Sequence, residues 1–140
     1  MARVAATTAV LAWINGHPTL KAPGALDLGA FDTQIRSPSR GAYLWLTRID
    51  GVDALVAEEA IDEARMAGVV FAATRTAAEN AAVAYANALA ALSGVHTPMG
   101  DAVCLVVDDI TGPQLIDDQA GAGGELVAYQ VDGTFYLRSA

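Results

Sequence analysis

The feature that most restricts the fold of this chain lies between residues 67 and 94, where a strand pattern runs directly into a long Ala-rich helix pattern. Val69, Val70 and Phe71 give the segment from Ala67 to Ala73 its β-propensity, because branched and aromatic side chains pack well on a pleated surface. Thr76-Ala-Ala-Glu79 then has the spacing of a capping box. In that motif the Thr hydroxyl accepts from the N–H of Glu79, and the Glu carboxylate reaches back to the N–H of Thr76. Ala78, Ala82, Tyr85, Leu89 and Leu92 recur at helical spacing as one apolar stripe, Asn80 and Asn87 mark a more polar face, and Ser93-Gly94 closes the helix. Alanine keeps the radius of such a helix small, so a sheet or a second helix can approach it closely.

Turn chemistry and alternation supply the other elements. A first helix is predicted over residues 3 to 15, stopped by Asn15-Gly16 and then Pro18. Residues 16–42, broken by Pro18, Pro23, Gly24, Gly29, Pro38 and Gly41, read as a flexible Gly/Pro-rich connection. Within it, Arg36 and Arg40 flank Ser-Pro-Ser as a local basic patch. Tyr43 to Ile49 is a strand that Asp50-Gly51 is expected to end as a turn. Residues 52–65, with Glu58, Glu59, Asp62 and Glu63, read as a solvated acidic face or an interaction arm.

Ala102 to Val107 is continuously apolar and is expected to be a central strand. Residues 108–125 read as a loop carrying Gly112-Pro113, the pairs Asp108-Asp109 and Asp117-Asp118, and Gly121-Ala-Gly-Gly124. At the C-terminal end Asp132-Gly133 is a hairpin signal, but the alternation opposes it. Val127, Tyr129, Val131, Phe135 and Leu137 share one face of an unbroken strand, with Gln130, Asp132, Thr134 and Arg138 on the other. A tight hairpin would mix these two faces, so one long strand through Gly133 is expected.

The order predicts one α+β domain over residues 1–140. It should have two layers, a largely antiparallel sheet of about four strands, an N-terminal helix and one long Ala-rich helix. The 54% hydrophobic content and mean hydropathy of +0.35 call for extensive burial. With only 17% of residues charged, surface left over from the core suits burial between subunits. The net charge of −8 argues against tight nonspecific binding of nucleic acid, which needs clustered Lys and Arg. Cys104 is the single cysteine and sits in an apolar run, which makes it a small core residue. The run from Val4 to Ile14 reads as an amphipathic helix, not a signal peptide, and no apolar stretch is long enough to span a bilayer. The protein is therefore expected to act inside the cell that makes it.

No catalytic constellation emerges. His17 and His96 stand alone beside proline-containing turns and read as surface residues, and no nucleophile elbow, phosphate loop or C-x-x-C is present. Asp108, Asp109, Asp117 and Asp118 could offer oxygen ligands to a hard cation, but their spacing fits no EF-hand loop. Neither a catalytic residue, a metal site nor a cofactor is assigned.

The stretch Asp62-Glu-Ala-Arg-Met-Ala-Gly-Val-Val-Phe-Ala-Ala-Thr-Arg-Thr-Ala-Ala-Glu-Asn-Ala-Ala82 resembles tail terminator proteins of long-tailed phages, notably those of actinobacterial hosts. Thr111-Gly-Pro-Gln-Leu-Ile-Asp-Asp118 followed by Leu126-Val-Ala-Tyr-Gln-Val-Asp132 is similar to the ending of that family. Gly112, Pro113 and Asp117 match its pattern, while Glu125-Leu126 stands where the family has Arg-Tyr. The resemblance, from about residue 43 onward, implies a non-enzymatic virion protein assembled in the host cytoplasm and located at the tail–neck junction. Such a protein forms a homo-oligomeric ring, usually hexameric, that caps the tail tube, stops its growth and provides the surface that docks to the head. The implied partners are further copies of the chain, the tail tube protein and a head-completion or neck protein. Genome DNA passes through the channel without specific binding, and no membrane is involved. Arg75 at the strand-to-helix turn, together with Gly112, Pro113, Asp117 and Asp118, is expected to contact neighbouring subunits or the tube. The competing readings are another neck component, such as a head-completion or adaptor protein, and a cytosolic small-ligand-binding α+β protein.

Overall fold

A computed structural model describes residues 5–20, 28–31, 42–54, 61–92, 95–120 and 126–140. The elements run α1 (Ala6–Asn15), β1 (Gly29–Phe31), β2 (Tyr43–Ala54), β3 (Ile61–Ala72), α2 (Arg75–Ala90), β4 (Thr97–Met99), β5 (Ala102–Ala120) and β6 (Leu126–Ser139). The strands form one sheet in the order β1-β2-β3-β6-β5-β4. Five of them are antiparallel to their neighbours, and the three-residue β1 lies parallel to β2 at one edge. The α+β class holds, but the sheet has more than four strands. The two additional ones, β1 and β4, are three residues each and sit in Gly/Pro-containing sequence. Strands that short carry no periodicity and exist because a longer neighbour holds them.

β6 is the single long strand that its alternation predicts. Val127, Tyr129, Val131, Phe135 and Leu137 all enter the main core, while Gln130 and Asp132 are half-buried on the opposite face. Gly133 is not a turn. A Cβ there would lie 3.0 Å from Val107 Cγ1 and 3.3 Å from Leu89 Cδ1, so glycine lets β5 and α2 close over the strand.

Pairing between long neighbouring strands overrides two local turn signals and claims part of an acidic run. Asp50-Gly51 does not end β2, which continues to Ala54 with a register shift between Arg48 and Asp50. β3 starts at Ile61 instead of Ala67, so Asp62 and Glu63 belong to a sheet strand and not to an acidic arm; residues 55–60 lie outside the described residues. Residues 108–120 extend β5 where the sequence predicts a loop, and four register irregularities accommodate them. β5 is also not central: β3 and β6 occupy the middle of the sheet.

α2 begins earlier than the capping box implies. Thr74 is the N-cap and its hydroxyl accepts from the N–H of Ala77 at 3.1 Å, leaving Thr76 and Glu79 inside the helix. The helix ends at Ala90, and Ser93-Gly94 lies outside the described residues. Its stripe is buried as expected, with Ala81 added: Ala78, Ala81, Ala82, Tyr85 and Leu89 lie against the helix-facing positions of β3, β6 and β5. The buried alanines, Ala88 among them, let the helix approach the sheet closely.

α1 packs against β1 and β2 near one edge of the sheet and against β4 at the other. A sheet whose opposite edges meet one ten-residue helix must curl around it. Asn15 fixes the contact: its side-chain amide accepts from the N–H of Ala30 at 3.1 Å and donates to the same residue's carbonyl at 3.2 Å. The connection after α1 adds to the core through Leu20, Leu28 and Ala30, while residues 21–27 and 32–41, with Arg36 and Arg40, are outside the described residues.

Candidate assembly surface

The polar chemistry of this protein is concentrated on the sheet face opposite the helices and on β5. Arg65, on β3, spans three strands. Its guanidinium donates to the Thr134 hydroxyl at 3.1 Å, to the Asp109 carbonyl at 2.8 Å and to the Thr111 hydroxyl at 3.4 Å, and it lies 3.9 Å from Asp132. Gln130 donates to the same Asp132 at 2.9 Å. On the neighbouring rung the Tyr136 hydroxyl donates to Glu63 at 3.2 Å, and partial desolvation followed by that carboxylate raises the phenol's pKa. These ladders use the polar face of β6, whose alternation was legible. Arg65 itself could not be recognised until β3 was known to begin upstream of it.

On the helix side Arg48 makes a bidentate pair with Asp62, at 2.8 and 2.5 Å, and Asp62 is only 3% exposed. The planar guanidinium fork satisfies both carboxylate oxygens at once, which allows an acidic residue to sit in a core position of β3.

The residues singled out in the sequence divide into two places. Arg75 is exposed in the first turn of α2, and its Nε donates a long 3.4 Å hydrogen bond to the hydroxyl of Tyr129. Tyr129 lies opposite Leu115 on β5. That hydrogen bond, and the negative charge of nearby Asp118, push the Arg75 pKa further up. Arg75 and Asp118 are thus close enough to interact, whereas Asp117, paired opposite Ala128, lines a groove with Trp45, Val69 and Phe71 on the helix-free face. Gly112 and Pro113 stand elsewhere, midway along β5 between the Thr111–Asp132 and Gln114–Gln130 pairs. The Gly112–Pro113 peptide is cis, and Gly112 has φ +96°, with the site of a Cβ falling inside van der Waals contact of the Gln130 carbonyl oxygen. Gly112 is therefore set by backbone approach within the subunit.

The aspartate pairs do not converge on a point in space. Asp108 accepts from the N–H of Asp109 at 2.8 Å and Asp117 from that of Gln119 at 2.9 Å, which are local turn contacts. Among the described residues no group of three or more His, Cys, Asp or Glu side chains is arranged to hold a metal ion. Cys104 is buried and its thiol is pushed up to about 11 by desolvation, the reverse of what a nucleophile needs. His17 is half-buried and accepts at Nδ1 from the N–H groups of Thr19 and Leu20, its ring edge-on to Trp13; His96 is exposed. No described helix is long and apolar enough to cross a membrane.

The helix-free face also carries a second apolar cluster, which sequence reasoning missed. Tyr43 stacks on Phe71 with ring centroids 5.1 Å apart, and Ala120, Leu126 and Ala128 join them, with Trp45 and Val69 at the margin. The signal was present as Tyr43, Trp45, Val69 and Phe71 at odd positions of two strands that are apolar on both faces.

No protein family's sequence profile matches this chain, and no curated protein matches it. Among solved structures, a chain from the virion of a native gene transfer agent particle matches with a TM-score of 0.65 over 95% of this chain and 94% of that one, at 17% identity. The two chains share a fold. The match runs over almost the whole of both, so the likeness takes in the curled sheet and both helices together.

Proposed function

We propose that this protein is a tail terminator of a long-tailed phage or phage-like particle: one subunit of a homo-oligomeric ring, hexameric as is usual for such proteins, that caps the tail tube, ends its growth and presents the surface that docks to the head. The observation that carries this reading is the near full-length fold shared with a chain of a gene transfer agent virion. The resemblance of residues 62–82 and 111–132 to tail terminators narrows it from virion protein to this position. Its partners are then further copies of itself, the tail tube protein and a head-completion or neck protein. The acidic balance suits a channel through which DNA slides without being held.

The test is electron microscopy of lysates from the parent phage carrying a nonsense mutation in this gene. Filled heads beside overlong, unattached tails are the expected result. Free tails of normal length beside leaking heads would assign the protein to the head side of the neck, and normal virions would end the structural reading.

A further inference from the structure

The second apolar cluster leaves a groove on the helix-free face. It has a volume of about 250 Å³ and is lined by Trp45, Val69, Phe71, Ile116, Ala120 and Ala128 together with the polar side chains of Asp117 and Gln119. Ile116 is 46% exposed, an aliphatic side chain held at a groove mouth instead of in the core. The main core does not account for this cluster, because alternation along β2, β3 and β6 directs its members away from both helices.

The charge around it is one-sided. Of the sixteen acidic residues only Asp27 and Asp32 precede residue 42, whereas four of the eight basic residues do: Arg3, Lys21, Arg36 and Arg40. Residues 42–140 therefore carry fourteen acidic residues against Arg48, Arg65, Arg75 and Arg138. Arg48 is held by Asp62, Arg65 is held by its ladder on β5 and β6, and Arg75 is bonded to Tyr129. Among the described residues Asp117 accepts from the N–H of Gln119 and makes no ion pair. A groove that sets aromatic and aliphatic side chains beside Asp117, in a strongly acidic body, selects a segment that offers one aliphatic side chain next to cationic ones. The sequence contains such a segment in Ile35-Arg-Ser-Pro-Ser-Arg40.

We propose that the groove on one subunit receives residues 35–40 of a second copy of this chain, Ile35 against Trp45, Val69 and Ile116, and Arg36 or Arg40 against Asp117. The proposal rests on the reading of the protein as a ring subunit and deepens it by naming an inter-subunit contact. It also gives the low charge and the exposed Ile116 a common cause, since both are buried only in the assembly.

Two differently tagged variants test it, Ile35→Cys and Ile116→Cys, each in a Cys104→Ala background. Together they complement the nonsense mutant of the parent phage, and the purified particles are oxidised and run on a gel. A cross-link joining the two tags is expected. Particles that contain both variants but no mixed cross-link overturn the proposal and leave the ring reading standing, whereas particles that contain neither variant sink both. A chain carrying both cysteines that links only to itself assigns the groove to its own segment and likewise overturns the proposal. Charge exchange provides the second arm. Asp117→Arg should lower incorporation about tenfold, and adding Arg36→Asp or Arg40→Asp should restore it to within about twofold. A loss that neither exchange recovers removes the charge pairing and with it the proposal.

Discussion

Gly112 shows how a surface residue can be as constrained as a core one. It is exposed, and an exposed substitution ordinarily changes stability by no more than about 0.5 kcal/mol. Here the φ of +96° and the close approach of the Gln130 carbonyl leave no room for a side chain. Gly112→Ala should therefore cost about 2 kcal/mol or more through backbone strain, read as a lower urea midpoint at unchanged slope. A midpoint within error of the parent would contradict it. Cys104 makes a second prediction. Its folded thiol is raised from 9.0 to about 11 by burial, so the folded state holds a proton that the unfolded chain releases first. The contribution is complete below about pH 9 and is lost as pH rises towards 11. Urea melts across that window should show falling stability, and Cys104→Ala should flatten the fall. Tyr85, also raised by burial, acts in the same direction but only above its ordinary range near 10.

At the scale of elements, α2 separates what local sequence specifies from where it is applied. Both Thr74 and Thr76 have a capping hydroxyl, and the capping-box spacing from Thr76 to Glu79 favours the later start. The helix begins earlier because Thr74 has extended backbone angles, φ −126° and ψ 156°, as β3 runs out into it. Thr74→Ala should cost about 1 kcal/mol and Thr76→Ala no more than about 0.5 kcal/mol. Thermal melts giving the opposite order would restore the capping box. Among the strands, β6 was legible along its whole length because its two faces differ in polarity. β2 and β5 were read too short because Asp50-Gly51 and Gly112-Pro113 are turn signals, and such signals yield to pairing with the twelve-residue β3 and the fourteen-residue β6, which a bulge or a positive φ can accommodate.

For the whole molecule, charge and assembly are linked. A net charge of −8 with half of the few cations in the first 41 residues leaves no cationic stripe on the described sheet. The purified protein should not be retained by duplex DNA at physiological salt, where nonspecific binders show a Kd of about 1–100 μM. A filter-binding or anisotropy titration with a Kd in or below that range would remove the repulsive-channel part of the functional reading. The candidate surface was only partly visible in advance. Asp118 lies near Arg75, Asp117 lines the groove on the helix-free face, and Gly112 and Pro113 belong to the middle of β5; nothing in their spacing could distinguish a shared loop from a shared strand.

By itself the sequence determined the α+β class, the buried stripe of α2, the unbroken β6 and the core position of Cys104, because each depends on periodicity or composition within one segment. Tertiary structure alone decided the short strands β1 and β4, the reach of β2, β3 and β5, the pairing of Arg48 with Asp62, and the apolar groove beside Asp117. Those depend on which strand lies next to which, and in a curled sheet whose opposite edges meet at α1, that adjacency is fixed by long-range contacts no local pattern encodes.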